Sequence, residues 1–482
     1  MKKRVALFLS ILISASFIAG CKKKEASDTS SFSPKISSKS VETTSESSTD
    51  PSSGTSETED TADSSSSDIT SSTSDPGSDR SAKNAEYKTE AQKLAGQHGL
   101  TEEDLSGEYY YFVKFSEAIE SNPNLGKFRE FMYLIYPVVA DMADYVCEDT
   151  FMTDLQKLSI TYDSELTGPG AAGRYVEPHN VYLQESLRDK EIDTLPKVLF
   201  HELMHFLDYR LTGEKDLVYI LDGKHYHPVD TNNFSPDELN RMILCEESWV
   251  LTEGGAEYFT AKYLSGDVEA YWDSVSFLVA IEYLMGEDYL NDLFFSWDSD
   301  AKLEELFLDA GYTEEQYKNA IATLNNETRP LYSEAPENPV SFDDILIDLY
   351  THYKGENWKE DKNFLMILRD IQSFAPDRWD RSKHADFLHT IKIKSFNELQ
   401  AYSQELLSDI PENITLSRLT LTLFLRDGQF VRGAIATMTD PNSGKTVPCI
   451  ITLSMDNEAN VKTGYEIQRI DEIMQKCFPD GV

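Results

Sequence analysis

His201-Glu202-Leu203-Met204-His205 is the stretch that decides how this chain of 482 residues is read. On a helix, positions i and i+4 lie one above the other, so the imidazoles of His201 and His205 can converge on one metal ion while Glu202 reaches its open side. Five residues thus supply two zinc ligands and a general base. The flanks predict a helix buried in a core. Thr194 can cap it, Pro196 falls in the first turn where a missing N–H is harmless, and Val198, Leu199, Phe200, Leu203, Met204, Phe206 and Leu207 leave almost no polar face beyond the ligand set. Without a metal, the buried imidazoles and carboxylate would be desolvated and unpaired, at roughly 1–3 kcal/mol for each neutral group. Zinc satisfies the imidazoles directly.

A catalytic zinc usually has three protein ligands. The metzincin pattern would need a Gly and a further His soon after the motif, and Phe206-Leu207-Asp208-Tyr209-Arg210-Leu211 supplies neither. Downstream, Thr252-Glu253-Gly254-Gly255-Ala256-Glu257 places two carboxylates four apart on a second helix, whose small residues allow close packing on the first. Here the chain resembles the gluzincin metallopeptidases, whose third ligand is a Glu on a helix that follows the H-E-x-x-H helix. The E-G-x-A-E form is similar to the corresponding stretch of the gluzincin aminopeptidases. That resemblance implies Glu253 as the third zinc ligand and Glu257 as a carboxylate that orients a ligating histidine. The resemblance is specific only at these two motifs. About 47 residues separate His205 from Glu253, more than the short spacer usual in that group.

Three further stretches bear on the site. Tyr271 opens a helical run to Gly286 that resembles the helix on which those aminopeptidases carry a tyrosine that stabilises the tetrahedral intermediate. By that resemblance Tyr271 is a candidate catalytic residue; the run lacks the rest of the family pattern, and a packed aromatic is the alternative. His225 and His227, in the long spacer, are either oxyanion donors or surface-loop histidines. Ala172–Leu183 reads as a hairpin, apolar or aromatic residues flanking a Pro-His-Asn turn. Its outer strand is either a structural edge or the edge on which an extended peptide pairs.

The N-terminus reads as an export signal. Lys2, Lys3 and Arg4 precede an apolar run from Val5 to Ile18, and Ile18-Ala19-Gly20-Cys21 resembles a bacterial lipobox, which implies cleavage before Cys21 and lipidation of its thiol. The Ser/Thr-rich stretch that follows has almost no large apolar residues and cannot offset its ordering entropy by burial, so it is expected to be a disordered tether. About 60 such residues reach roughly 40–45 Å. A net charge of −40 argues against nucleic acid as a partner. Cys147, Cys245, Cys449 and Cys477 contain no C-x-x-C, and their disulfide state stays open.

The expected fold class is α+β: a zincin-like catalytic domain, mainly helical with a small sheet, followed by a C-terminal region of helices and a three-strand β-meander. The expected divisions are a lipoprotein signal peptide over 1–20, the lipidated Cys21 and tether over 21–84, the catalytic domain over 85–330 and the C-terminal region over 331–482. The meander is expected from alternation in Leu419–Leu425, an Asp427-Gly428 turn, and strands at Phe430–Met438 and Val447–Ser454. The expected function is a membrane-anchored extracellular zinc peptidase that hydrolyses peptide or protein substrates, with Glu202 as general base. The alternative is a surface binding or adhesion lipoprotein with a structural or inactive zinc site.

Overall fold

The computed structural model describes residues 76–141, 148–168, 171–176, 178–188, 194–211, 219–221, 224–226, 243–244, 249–265, 268, 270–296, 299–328, 340–374, 383–402, 410–420 and 422–479. The signal segment, Cys21 and most of the tether lie outside these. Contacts separate Lys22–Ala82, of which only the first turns of α1 are described, from a unit that includes Lys83–Val482.

Helix α1 (Pro76–Gln97) leads to α2 (Tyr109–Ser121), which buries Phe112, Val113, Phe115 and Ile119. The helix ends after Ser121. Asn122 is extended there and its side-chain amide donates to the carbonyls of Leu155 and Leu158, while Gly126 turns at φ +50°, leaving short helical turns up to Asp141. After α3 (Glu148–Leu155) comes a small sheet of β1 (Ser159–Tyr162), β2 (Gly173–Val176) and β3 (Asn180–Leu183). β3 sits in the middle, parallel to β1 and antiparallel to β2, so the expected hairpin is present and β2 is its edge strand. His179 in the turn meets Asp154 at 2.7 Å, which ties the hairpin to α3.

The metal-motif helix, α4 (Thr194–Leu211), has Leu199, Phe200, Leu203, Phe206 and Leu207 fully buried, as its nearly unbroken apolar composition requires. The long spacer after it contributes β4 (Tyr219–Leu221), β5 (Lys224–Tyr226) and β6 (Ile243–Leu244), ordered β5-β4-β6. Five helices follow: α5 (Trp249–Thr260), which runs on into a π-helical turn at Ala261–Ser265, α6 (Trp272–Met285), α7 (Glu287–Phe295), α8 (Ser299–Asp309) and α9 (Glu314–Thr328). The paired glycines of α5 are where these helices meet. A Cβ on Gly254 would overlap that of Ser274 on α6, and one on Gly255 would overlap the Phe294 ring of α7. Their bare backbone lets α5 lie against both neighbours and so fixes the height of Glu253 and Glu257 over α4.

Among the described residues, α10 (Phe342–Lys354), α11 (Lys362–Phe374), α12 (Ala385–Thr390) and α13 (Phe396–Ala401) precede the C-terminal sheet. The expected three-strand meander is a five-stranded sheet. Its path is β11 (Val461–Arg469), β10 (Thr446–Met455), β9 (Gln429–Thr439) and β7 (Ile414–Leu419), with the short β8 (Phe424–Arg426) also on β9; α14 (Ile470–Cys477) closes the chain. Asp427 and Gly428, both at positive φ, make the β8–β9 turn as expected. The alternating run Leu419–Leu425 is not one strand. Thr420, Thr422 and Leu423 are all buried, since the chain passes from β7 to β8 against α6 and α11, where Thr422 shares a 2.7 Å hydrogen bond with Ser276 and the Leu423 amide donates to Asp370. β11 lies beyond the expected meander, which stopped at Ser454, although Val461, Tyr465 and Ile467 alternate along it with Lys462, Glu466 and Gln468; it pairs antiparallel with β10. Elements on either side of residue 330 therefore share one core.

Candidate metal centre

Two helices and one strand build the site. α4 presents His201, Glu202 and His205; α5 crosses it with Glu253 and Glu257; and β2 runs beside Glu202. Glu253 Oε2 lies 3.3 Å from His201 Nε2 and 3.7 Å from His205 Nε2, with all three side chains largely buried. Donor atoms of His201, His205 and Glu253 come within 4.8 Å of one another. For a tetrahedral ion with bonds of about 2.0–2.1 Å, neighbouring donors sit about 3.3–3.5 Å apart, so the spacing matches one shared divalent cation. His205 Nε2 is buried with no hydrogen-bond partner among the described residues, a costly state that coordination would relieve. The residues fit a bound metal ion.

Glu257 occupies a different place. Its Oε2 is 3.4 Å from Nδ1 of His201, the ring nitrogen facing away from Glu253, and its Oε1 accepts the backbone N–H of Ala270 at 3.3 Å. A proton on Nδ1 shared with Glu257 leaves Nε2 free as a lone-pair donor. Next to Ala270, Tyr271 adopts a left-handed backbone, φ 51° and ψ 36°, at the start of α6, and its ring lies over that of His201 with centroids 6.1 Å apart and planes 20° apart.

Glu202 Oε2 accepts the backbone N–H of Tyr175 at 2.6 Å, and the carboxylate is pressed against Gly173 of the same strand. Burial pushes its carboxyl up from the usual range, and the neighbouring histidines only partly offset this. For His201, burial opposes the charged form, but the hydrogen bonds its ring donates to Glu253 and Glu257 outweigh it and carry the imidazole up to about 10. Burial likewise opposes ionisation of Glu253, and His205 and His201 overcome it, holding the carboxyl well below its ordinary value. A proton on His201 would therefore compete with a metal ion for this site.

His201, Glu202, His205, Glu253, Glu257 and Tyr271 all come together here. His225 falls on β5, with its side chain outside the described part, and His227, Cys147, Cys245 and Cys21 lie outside it altogether. Cys449 and Cys477 are buried free thiols. The hold of β2 on Glu202 went unread in the sequence, although a glycine inside a strand pattern, Gly173, signals close backbone approach. In a second group, Asp343, Asp344 and His384, one carboxylate is already paired: Asp344 accepts from Lys383 Nζ at 2.9 Å and meets His384 at 3.0 Å. Comparison with protein-family models, with curated proteins and with solved structures finds no match for this chain.

Proposed function

We propose that this chain is a zinc-dependent peptidase, held on the outer face of a bacterial membrane by a lipidated Cys21. The observation that carries the reading is the convergence of His201 Nε2, His205 Nε2 and Glu253 Oε2 on one point, with Glu202 on the next position of the same helix. His201, His205 and Glu253 would hold the zinc ion. When bound there, zinc acidifies water and polarises a substrate carbonyl as a Lewis acid.

The other groups of the chain supply the rest. Glu202, buried and with a raised pKa, is suited to take a proton from the attacking water and to return it to the leaving amine. Glu257 keeps Nδ1 of His201 protonated and its ring oriented. Tyr271, beside His201, is the candidate to donate from its hydroxyl to the developing oxyanion. β2 is the edge of its sheet and passes over the base, which supports an extended peptide as the substrate.

The test is cleavage of a proteome-derived peptide library by the purified protein and by Glu202→Gln. Turnover should fall by ~10²–10⁴ in the variant at unchanged zinc content. Absence of cleavage by wild type across the library would reject the peptidase reading in favour of a surface binding protein.

A further inference from the structure

The orientation of β2 shows which of its backbone groups face outward. The Gln184 amide donates to the Ala172 carbonyl at 2.9 Å, and the β2–β3 register pairs Arg174 with Tyr182 and Val176 with Asn180. Strand alternation therefore turns the N–H and C=O of residues 172, 174 and 176 toward β3 and those of Gly173 and Tyr175 away from the sheet. The outward N–H of Tyr175 is the one that Glu202 accepts. At Gly173, an added Cβ would lie 2.6 Å from Val198 Cγ1, 2.7 Å from Glu202 Cγ and 2.8 Å from Glu202 Oε1. The carboxylate is thus held on both sides, by a charge-assisted hydrogen bond to one edge amide and by contact with a residue that must lack a side chain.

We propose that Gly173 and the backbone N–H of Tyr175 are the positioning groups of the base, and that the edge of β2 fixes the Glu202 carboxylate in one orientation toward the metal centre. This rests on the reading of Glu202 as the base. A buried glutamate has three rotatable bonds, and in this site both histidines also attract it. Free to choose, the carboxylate could fold onto the ligands and lose its reach for a water. The amide and the glycine together remove that choice. They also occupy the edge at Tyr175, so a peptide strand pairing on β2 must use the outward groups of Gly173 and the carbonyl of Tyr175.

Tyr175→Pro removes the amide hydrogen together with the ring. Its N–H points away from β3, a position at which an edge strand tolerates proline, and the pairs of Arg174 and Val176 with β3 remain. Tyr175→Ala removes the same ring but keeps the N–H, and sets the baseline. On the full chain, with a quenched fluorogenic peptide pool as the probe, kcat of Tyr175→Pro should fall ~10–100-fold below Tyr175→Ala, with KM within about threefold and zinc content equal. Gly173→Ala should show the same split. An independent arm needs no substrate: amide hydrogen exchange at Tyr175 should be at least about tenfold faster in Glu202→Ala than in wild type, while the Tyr182 amide keeps its rate. Equal exchange at Tyr175 in both proteins overturns the proposal, as does equal kcat for Tyr175→Pro and Tyr175→Ala. Protection of Tyr175 by Glu202 in a protein that cleaves no peptide would overturn the peptidase reading and leave the positioning contact standing.

Discussion

Glu253 Oε2 and His201 Nε2 lie 3.3 Å apart although 52 positions separate the two residues in the chain. One turn further along α5, Glu257 approaches the other ring nitrogen of the same histidine. The two carboxylates therefore bracket one imidazole, and their removal should have unequal consequences. Glu253→Ala takes away a metal bond and should empty most of the site. Glu257→Ala only unfastens the ring and should weaken zinc affinity by about 10–100-fold. Titration of both variants against a competing chelator reads the difference; normal binding by Glu253→Ala would reverse the assignment.

Zinc affinity should depend on pH in a definite direction. In the metal-free protein, the carboxylates of Glu253 and Glu257 overcome burial and hold the His201 imidazole protonated up to about 10. A metal must displace that proton, so binding releases about one proton per ion throughout the range below that value. Apparent affinity should rise about tenfold per pH unit between roughly pH 6 and 8. Chelator competition at three pH values, or calorimetry in buffers of different ionisation enthalpy, measures this. A pH-independent affinity would contradict the protonated histidine.

The part of this site legible in the sequence is the part governed by local period. His201, Glu202 and His205 fall on one helix face by spacing alone, and Glu253 and Glu257 do so on another. The Asp427-Gly428 turn was legible because few residue pairs adopt positive φ twice in succession. What the sequence could not give is whatever depends on meeting a distant element. The Tyr175 amide carries no side-chain signature, and the bridge from Ala270 through Glu257 to His201 spans two helices and a loop. β11 is a different case: Val461, Tyr465 and Ile467 alternate with Lys462, Glu466 and Gln468, so its strand was legible, although the expected meander stopped at Ser454.

Gly255→Ala should report on the packing that sets the height of Glu253. The new methyl would overlap the Phe294 ring, itself fully buried against Phe259 and Phe295, so the ring cannot yield without moving its neighbours. Overpacking of this kind costs about 1–3 kcal/mol. A lower melting temperature is expected, together with weaker zinc binding, because α5 carries the ligand. Loss of stability at unchanged zinc affinity would show that α5 relaxes without shifting Glu253.

The buried pair of Asp370 on α11 and Arg432 on β9 should decide whether Lys83–Val482 unfolds as one unit. Asp370 accepts the Arg432 guanidinium and the Leu423 amide, while Arg432 also donates to the Thr420 carbonyl at 3.0 Å. Burial pushes the Asp370 carboxyl up, and the guanidinium is the main force that opposes this. Arg432→Met should therefore leave a buried carboxylate without its cation, at a cost of about 3–5 kcal/mol. The double variant Asp370→Leu with Arg432→Met removes both charges and should recover most of that loss, since an apolar pair of similar volume can replace a buried ion pair. Ser276 on α6 bonds Thr422, within the same linker as Thr420 and Leu423, so the defect should be felt at the zinc helices as well. Denaturant unfolding followed by far-ultraviolet circular dichroism and by zinc release should give coincident transitions, both shifted by Arg432→Met. Zinc release unmoved while the bulk transition shifts would show that the C-terminal sheet unfolds apart from the metal centre.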